Sequence, residues 1–121
     1  MKVLILDDDV NLLQALQRVL EMHDYEVATS NQAREAVKLV ENNTYDFILV
    51  DYKMPENDGI WFMENVTIPR KTRVILITAY VNRDVINRMF ALGASGYLIK
   101  PFDEEELLRN LNFFTPEQQG E

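Results

Sequence analysis

Residues 4–10 read LILDDDV, so three bulky apolar residues are followed directly by Asp7, Asp8 and Asp9. A short apolar run without polar interruption is typical of a strand that is covered on both faces, as in a parallel sheet. Three adjacent carboxylates at the end of such a strand repel one another unless a cation lies beside them. The stretch therefore predicts a buried strand that brings a cluster of acids to one edge of a sheet.

Further apolar runs follow along the chain, and segments of helical period separate them. The predicted strands are Val3–Leu6, Val27–Thr29, Phe47–Val50, Val74–Ile77 and Tyr97–Ile99. The predicted helices are Asn11–Met22, Gln32–Glu41, Ile60–Val66, Val85–Leu92 and Glu104–Phe113. Regular alternation of strand and helix predicts an α/β fold in which a parallel sheet lies between two helical layers.

The composition of the runs also predicts the strand order. VLIL, FILV and VILI are continuously apolar, whereas EVAT and YLI are shorter or more mixed, as edge strands can be. The order 2-1-3-4-5 puts the apolar runs inside and keeps most connections between neighbouring strands. Right-handed crossovers then put the first and fifth helices on one face of the sheet and the other three on the opposite face.

Composition limits the possible functions. The chain has 121 residues, of which 47% are apolar, which fits one globular domain and excludes a disordered chain. The absence of cysteine excludes disulfides and thiolate metal sites and favours a cytoplasmic location. No apolar stretch approaches the length of a membrane span. The net charge of −8 argues against direct contact with nucleic acid by this chain.

Polar side chains follow four of the predicted strands. Asp7 and Asp8 follow the first, and Asp51, Thr78 and Lys100 follow the third, fourth and fifth. These side chains are expected to converge, because ligands of open α/β sheets bind outside the carboxyl ends of the strands. Clustered carboxylates without softer ligands suit Mg²⁺. One aspartate is then placed to act as a nucleophile toward a phosphoryl donor, while the metal and the lysine offset charge.

Four motifs occur in order at these strand ends: LILDDD, ILVDYKMPENDG, VILITAY and GASGYLIKPF. Together they resemble the motifs of response-regulator receiver domains of two-component signalling, over residues 2–114. The resemblance implies a flavodoxin-like, doubly wound (βα)5 sandwich. It also implies a receiver domain over residues 1–114, with residues 115–121 as a C-terminal tail or the start of a linker.

The resemblance implies roles for the residues around the acids. Asp51 matches the phosphorylated aspartate. Asp7 and Asp8 match the acidic pair that holds Mg²⁺ or Mn²⁺, the second directly and the first largely through water. The backbone carbonyl of Lys53 matches a further metal ligand. The Lys53 and Tyr80 side chains match positions that flank the phosphoryl group, where bulk is expected to slow attack by water.

The resemblance also implies roles for residues at the predicted fourth and fifth strands. Thr78 matches the switch hydroxyl, Tyr97 the switch aromatic residue and Lys100 the lysine of the catalytic site. The Lys100–Pro101 peptide bond is expected to be cis, an arrangement that costs little only before proline. Asp9 lies beyond the acidic pair and is expected to serve only the start of the first helix, where Asn11 is the other candidate cap.

The implied function is a signalling switch rather than an enzyme, although it catalyses its own phosphorylation and slow dephosphorylation. A sensor histidine kinase or a histidine phosphotransfer protein would supply the phosphoryl group to Asp51. The surface of the fourth helix, fifth strand and fifth helix would then change shape for an output domain or effector protein. The implied states are a monomer or a phosphorylation-promoted homodimer, without membrane contact.

Two alternatives stay open from the sequence. Asp7 and Asp9 form a D-x-D, as in haloacid-dehalogenase-like phosphatases, where the first aspartate is the nucleophile. No Gly-Thr follows this D-x-D, however, and the chain is short for a phosphatase with a cap domain. The other alternative is an interaction module that works without phosphorylation, against which the complete set of site residues argues.

Overall fold

In the computed structural model, the chain is described over residues 1–54 and 58–115, and strands alternate with helices throughout. The strands are β1 (Lys2–Leu6), β2 (Glu26–Ser30), β3 (Phe47–Asp51), β4 (Arg73–Thr78) and β5 (Gly96–Ile99). The helices are α1 (Val10–Met22), α2 (Ala33–Asn42), α3 (Gly59–Asn65), α4 (Arg83–Ala91) and α5 (Glu104–Phe113). Residues 55–57 of the second motif and residues 116–121 of the predicted tail lie outside the described ranges.

The described strands form one parallel sheet in the order β2-β1-β3-β4-β5, so the predicted order is confirmed. The residues of β3 are all buried, and β1 and β4 each expose only their first residue. In the edge strands β2 and β5, by contrast, a single residue is buried, Ser30 and Leu98 respectively. The difference in apolar continuity among the runs therefore reflects which strands are covered on both faces.

Alternate side chains of the central strands enter two separate cores. Leu4 and Leu6 of β1 pack with buried residues of α2, α3 and α4 on one face. Val3 and Ile5 pack with buried residues of α1 and α5 on the other. This division of the helices is the one that right-handed crossovers predict. None of the helices within residues 1–54 and 58–115 is both long and apolar enough to cross a membrane.

Side-chain caps fix several helix boundaries at the functional edge of the sheet. The Asp9 carboxylate accepts the N–H of Leu12 at 3.2 Å, so Asp9 and not Asn11 caps α1. The Asn82 side chain accepts the N–H groups of Asp84 and Val85, and α4 therefore begins at Arg83, two residues before the predicted start. Gly93 ends this helix with a φ of +119°, which an L side chain rarely adopts.

Candidate functional site

The carboxyl ends of the strands bring Asp7, Asp51, Thr78 and Lys100 to one edge of the sheet. Asp7 follows β1, Asp51 ends β3, Thr78 ends β4 and Lys100 follows β5. A backbone hydrogen bond joins the last two residues: the N–H of Lys100 donates to the carbonyl of Thr78 at 2.8 Å. Asp7, Asp51 and Thr78 are all buried. The burial of two aspartates in one small domain is unusual, because aspartate is almost never fully buried unless it is paired.

Lys100 bridges the two buried carboxylates. Its Nζ donates to Oδ2 of Asp7 at 2.7 Å and to Oδ2 of Asp51 at 3.3 Å. Burial opposes the charged form of this lysine, but the hydrogen bond to Asp7 and the charges of both aspartates outweigh that effect and raise its pKa. Lys100 is therefore held as a cation, and it balances one of the two negative charges.

The remaining charge imbalance appears at Asp51. Burial, together with repulsion from Asp7, raises the pKa of Asp51 to about 6, against the attraction of Lys100. Without a further cation, the Asp51 carboxyl is thus partly protonated just below neutral pH. A nucleophilic carboxylate has to be ionised, so the site is suited to a second positive charge beside Asp51.

The acids fit a hard divalent cation. One carboxylate oxygen from each of Asp7, Asp8 and Asp51 lies within 4.8 Å of the other two. These are oxygen donors without sulfur or imidazole, the set that Mg²⁺ and Mn²⁺ prefer. The positive charge of such an ion would also relieve the repulsion that raises the pKa of Asp51.

Asp7 and Asp8 differ in how far the protein already occupies their oxygens. In Asp7, Oδ1 accepts the N–H of Asp9 at 2.9 Å while Oδ2 accepts from Lys100. The exposed Asp8 carboxylate accepts no hydrogen bond from residues 1–54 or 58–115. This asymmetry fits the expectation that Asp8 contacts a metal directly and that Asp7 acts largely through water.

Two aromatic rings and an ammonium group contact one another in the segments that follow Asp51 and Thr78. Tyr52 follows Asp51 directly, and its ring stacks on that of Tyr80 with centroids 5.6 Å apart and planes inclined by 15°. The Nζ of Lys53 lies 5.0 Å from the centroid of the Tyr80 ring, within the range of a cation–π contact. The Lys53 N–H also donates to Oδ1 of Asp51 at 3.4 Å. We call Tyr52, Lys53 and Tyr80 the aromatic cluster.

Sequence reasoning selected Lys53 and Tyr80 but not Tyr52. The available signal was an aromatic residue directly after β3, the strand adjacent to β4, which Tyr80 follows by two residues. Aromatic side chains at neighbouring strand ends are close enough to pack. The stack brings the loop after β3 into contact with the loop after β4.

Thr78 and Tyr97 occupy different environments. Thr78 is buried, and its Oγ1 accepts the N–H of Tyr80 at 2.9 Å. Tyr97 is 43% exposed and makes an edge-to-face contact with Phe90 of α4, with centroids 6.1 Å apart. The tyrosine side chain is thus directed outward in this structure. The Lys100–Pro101 peptide bond is cis, as expected.

Residues 3–112 match the family model described as the response regulator receiver domain. The transcriptional regulatory protein PdtaR of Mycobacterium tuberculosis is 33% identical over 108 residues, which cover 88% of this chain and 53% of PdtaR. For this and several other curated relatives, the chain spans between 16% and 53% of the relative's length.

Solved structures of response regulators are also similar to this chain. The structure of chemotaxis protein CheY4 of Vibrio cholerae is 31% identical with a TM-score of 0.87, covering 94% of this chain and 98% of that one. A response regulator protein from Burkholderia pseudomallei, solved with a phosphorylated aspartic acid, a calcium ion and citrate, is 26% identical with a TM-score of 0.81. That comparison covers 88% of this chain and 64% of the other. The flavodoxin-like fold predicted from the sequence is therefore confirmed.

Proposed function

The chain belongs to the response regulator receiver domain family of two-component systems, and we propose that it is a switch controlled by phosphorylation of Asp51. The observation that carries the proposal is the placement of Asp51, buried at the carboxyl edge of the sheet between Lys100 and the acidic pair. A phosphorylated aspartic acid and a calcium ion in the Burkholderia pseudomallei relative support the same chemistry. The receiver domain would span residues 1–114, with residues 115–121 as tail or linker.

In the proposed reaction, a carboxylate oxygen of Asp51 attacks the phosphorus of a phosphohistidine. A P–O bond forms as the P–N bond breaks, and the leaving imidazole takes up a proton. Lys100 stays hydrogen-bonded across the site and offsets charge on the transferring oxygens. Asp7, Asp8, Asp51 and the Lys53 carbonyl would hold Mg²⁺ or Mn²⁺, which supplies positive charge to the phosphoryl oxygens when bound.

The switching step uses the free donor of Thr78. Its oxygen accepts the Tyr80 N–H, which leaves the hydroxyl proton available for a phosphoryl oxygen on Asp51. Moving Thr78 toward that oxygen would draw the loop after β4 inward and let Tyr97 leave Phe90 and turn in. The contacts made by Thr78 would supply the difference in free energy between the two states.

The aromatic cluster would tune the lifetime of the phosphoryl group. Tyr80 is fixed by its stack on Tyr52 and by the ammonium of Lys53. Lys53 and Tyr80 each lie two residues beyond a site residue, Asp51 and Thr78 respectively, and bulky side chains at these positions would hinder attack by a water molecule in line with the P–O bond. We therefore expect slow self-dephosphorylation.

A groove beside the site supports a protein as the phosphoryl donor. It has a volume of about 350 Å³ between α1 and α5, and its wall includes Lys100. Leu12, Val19 and Phe102 give it an apolar lining, while Asp103 lies at its edge. A sensor histidine kinase or histidine phosphotransfer protein has to approach this edge of the sheet to reach Asp51. Apolar surface on a donor helix would fit such a groove.

Exposed apolar side chains mark a second surface, on α4, β5 and α5. Phe90, Tyr97, Ile99 and Phe113 are each at least 39% exposed. We propose that phosphorylation changes this surface for an output domain, an effector protein or a second copy of the chain. The free domain would be a monomer, located in the cytoplasm, without direct contact to nucleic acid or membrane.

The proposal is tested by treating the protein with acetyl phosphate and separating the products on a phosphate-affinity gel. Wild type with Mg²⁺ is expected to give a slower band, and Asp51→Asn or wild type with EDTA is not. A slower band in Asp51→Asn would favour the phosphatase alternative, in which Asp7 is the nucleophile. The full engagement of both Asp7 oxygens argues against that outcome. Failure of wild type to react with acetyl phosphate or beryllofluoride would favour the interaction module.

A further inference from the structure

A second recess lies at the opposite edge of the sheet, where β3 and β4 begin. It has a volume of about 490 Å³. Three of its lining residues are basic, namely Arg70, Lys71 and Arg73, and all three are exposed. We call it the basal recess. The proposed phosphorylation does not involve it, because Asp51 is at the other end of β3.

The loop that carries these basic residues is firmly held. The N–H of Thr72 donates to the carbonyl of Pro69 at 3.0 Å, and its buried hydroxyl donates to the carbonyl of Tyr45 at 2.5 Å. The N–H of Arg73 donates to the carbonyl of Asp46 at 2.9 Å. The basic side chains on either side of Thr72 are therefore presented from a fixed backbone, which lowers the entropy cost of binding.

The positive charge of the basal recess is not neutralised by the described part of the chain. None of Arg70, Lys71 and Arg73 forms an ion pair within residues 1–54 and 58–115. Asp46 is the acidic residue of the described lining, and its carboxylate accepts the backbone N–H of Lys2 at 2.8 Å. Three neighbouring cations in a chain of net charge −8 form a local reversal of charge that attracts anions.

Apart from the basic residues and Asp46, the described lining consists of Met1, Phe47 and Phe114, which give the recess an apolar wall. An inorganic anion would leave this apolar surface unused. A nucleic acid would extend beyond the recess over a surface with excess negative charge. We propose that the basal recess binds an acidic peptide segment of a partner protein, with carboxylates on the basic side chains and an apolar side chain against the aromatic wall.

The test uses the full chain, labelled with ¹⁵N, and the peptide acetyl-EEFEE-amide as probe. The neutral peptide acetyl-QQFQQ-amide and inorganic phosphate at equal ionic strength serve as comparisons. The acidic peptide is expected to shift the amide signals of Arg70, Lys71 and Phe114 in a saturable manner. Arg70→Gln/Lys71→Gln should weaken its binding by about tenfold, because two charge contacts are lost.

A matched control removes the same charge elsewhere. Arg18→Gln/Arg34→Gln changes two exposed arginines that form no ion pair within the described residues, and it should bind the peptide within about twofold of wild type. Asp51→Asn should also bind normally, which separates this proposal from the phosphorylation switch.

Three results would overturn the proposal. The first is equal binding of the acidic and neutral peptides, or equal weakening in both double variants. The second is saturable phosphate binding at the same amides, which would indicate a small-anion site. The third is peptide binding that is absent in wild type and appears only in the variant Glu117→Gln/Glu121→Gln. That result would mean that acidic residues of the chain itself, and not those of a partner, bind to the basal recess.

Discussion

The Nζ of Lys100 lies 2.7 Å from Oδ2 of Asp7, although the two residues are 93 positions apart in the chain. The same ammonium reaches Asp51 at 3.3 Å. One cation thus serves two buried carboxylates, and the excess negative charge raises the pKa of Asp51. This imbalance makes the stability of the metal-free domain depend on the charge state of Asp51.

Lys100→Met should destabilise the metal-free protein near neutral pH by about 2–3 kcal/mol, because two buried carboxylates then lack their cation. The measurement is urea unfolding in the presence of EDTA. Arg88→Met is the matched control, since Arg88 pairs with Glu64 at the exposed surface and should cost less than about 1 kcal/mol. Equal losses in the two variants would contradict the structural role given to Lys100.

Asp51→Asn should stabilise the metal-free protein, and the gain should depend on pH. The pKa of Asp51 is raised from 3.8 to about 6 in the folded state, so between these values the folded state binds more protons than the unfolded state. The free energy of unfolding of wild type therefore falls as pH rises through this window. The asparagine variant has no carboxyl group at position 51, so its free energy of unfolding does not fall for this reason.

The contribution of Asp51 titration to the difference in free energy of unfolding between wild type and Asp51→Asn should be near zero below about pH 4. It should reach its full size above about pH 6. One pKa unit corresponds to about 1.4 kcal/mol, and solvent screening at the open edge reduces the effect to about 1–2 kcal/mol. Urea unfolding of both proteins across this range, with EDTA present, checks the prediction. A constant difference at every pH would show that Asp51 does not titrate as described.

Asp8→Asn should weaken Mg²⁺ binding by about tenfold or more, because it removes the exposed carboxylate that is free to contact the ion. Asp9→Asn should leave the affinity nearly unchanged, since Asp9 is the N-cap of α1. Asparagine also caps helices well, so the stability of that variant should change little. Isothermal titration calorimetry with MgCl₂ distinguishes these neighbours. A larger loss in the Asp9 variant would reverse the assignment.

Tyr80→Ala should accelerate loss of the phosphoryl group, by about tenfold if the ring accounts for about 1.4 kcal/mol of the barrier. Tyr80→Phe keeps the stack on Tyr52 and the contact with Lys53, and should therefore retain the wild-type rate. The rates are followed by the decay of the labelled protein after the donor is removed. An unchanged rate in the alanine variant would refute shielding by the aromatic cluster.

Most of the fold followed from local sequence patterns. The strand order could be predicted because burial on both faces leaves continuous apolar runs in β1, β3 and β4. The limits of α5 were also predicted correctly. The start of α4 was missed because an asparagine between Val81 and Arg83 fits a loop as well as a helix start, and only the N–H groups that it accepts from Asp84 and Val85 identify it as the cap.

The site was predictable in composition but not in contacts. Strand order alone places Asp7, Asp51, Thr78 and Lys100 at one edge. The closer contact of Lys100 with Asp7 than with Asp51 depends on side-chain packing between distant parts of the chain. The stack of Tyr52 on Tyr80 depends on such packing as well.

Phosphorylation of Asp51 is tested most directly by mapping the carboxylate that is modified. Wild type is treated with acetyl phosphate and Mg²⁺, the acyl phosphate is reduced with borohydride, and the modified peptide is sequenced by mass spectrometry. We expect homoserine at position 51 and intact aspartate at positions 7, 8 and 9. Homoserine at position 7, with position 51 intact, would contradict this expectation.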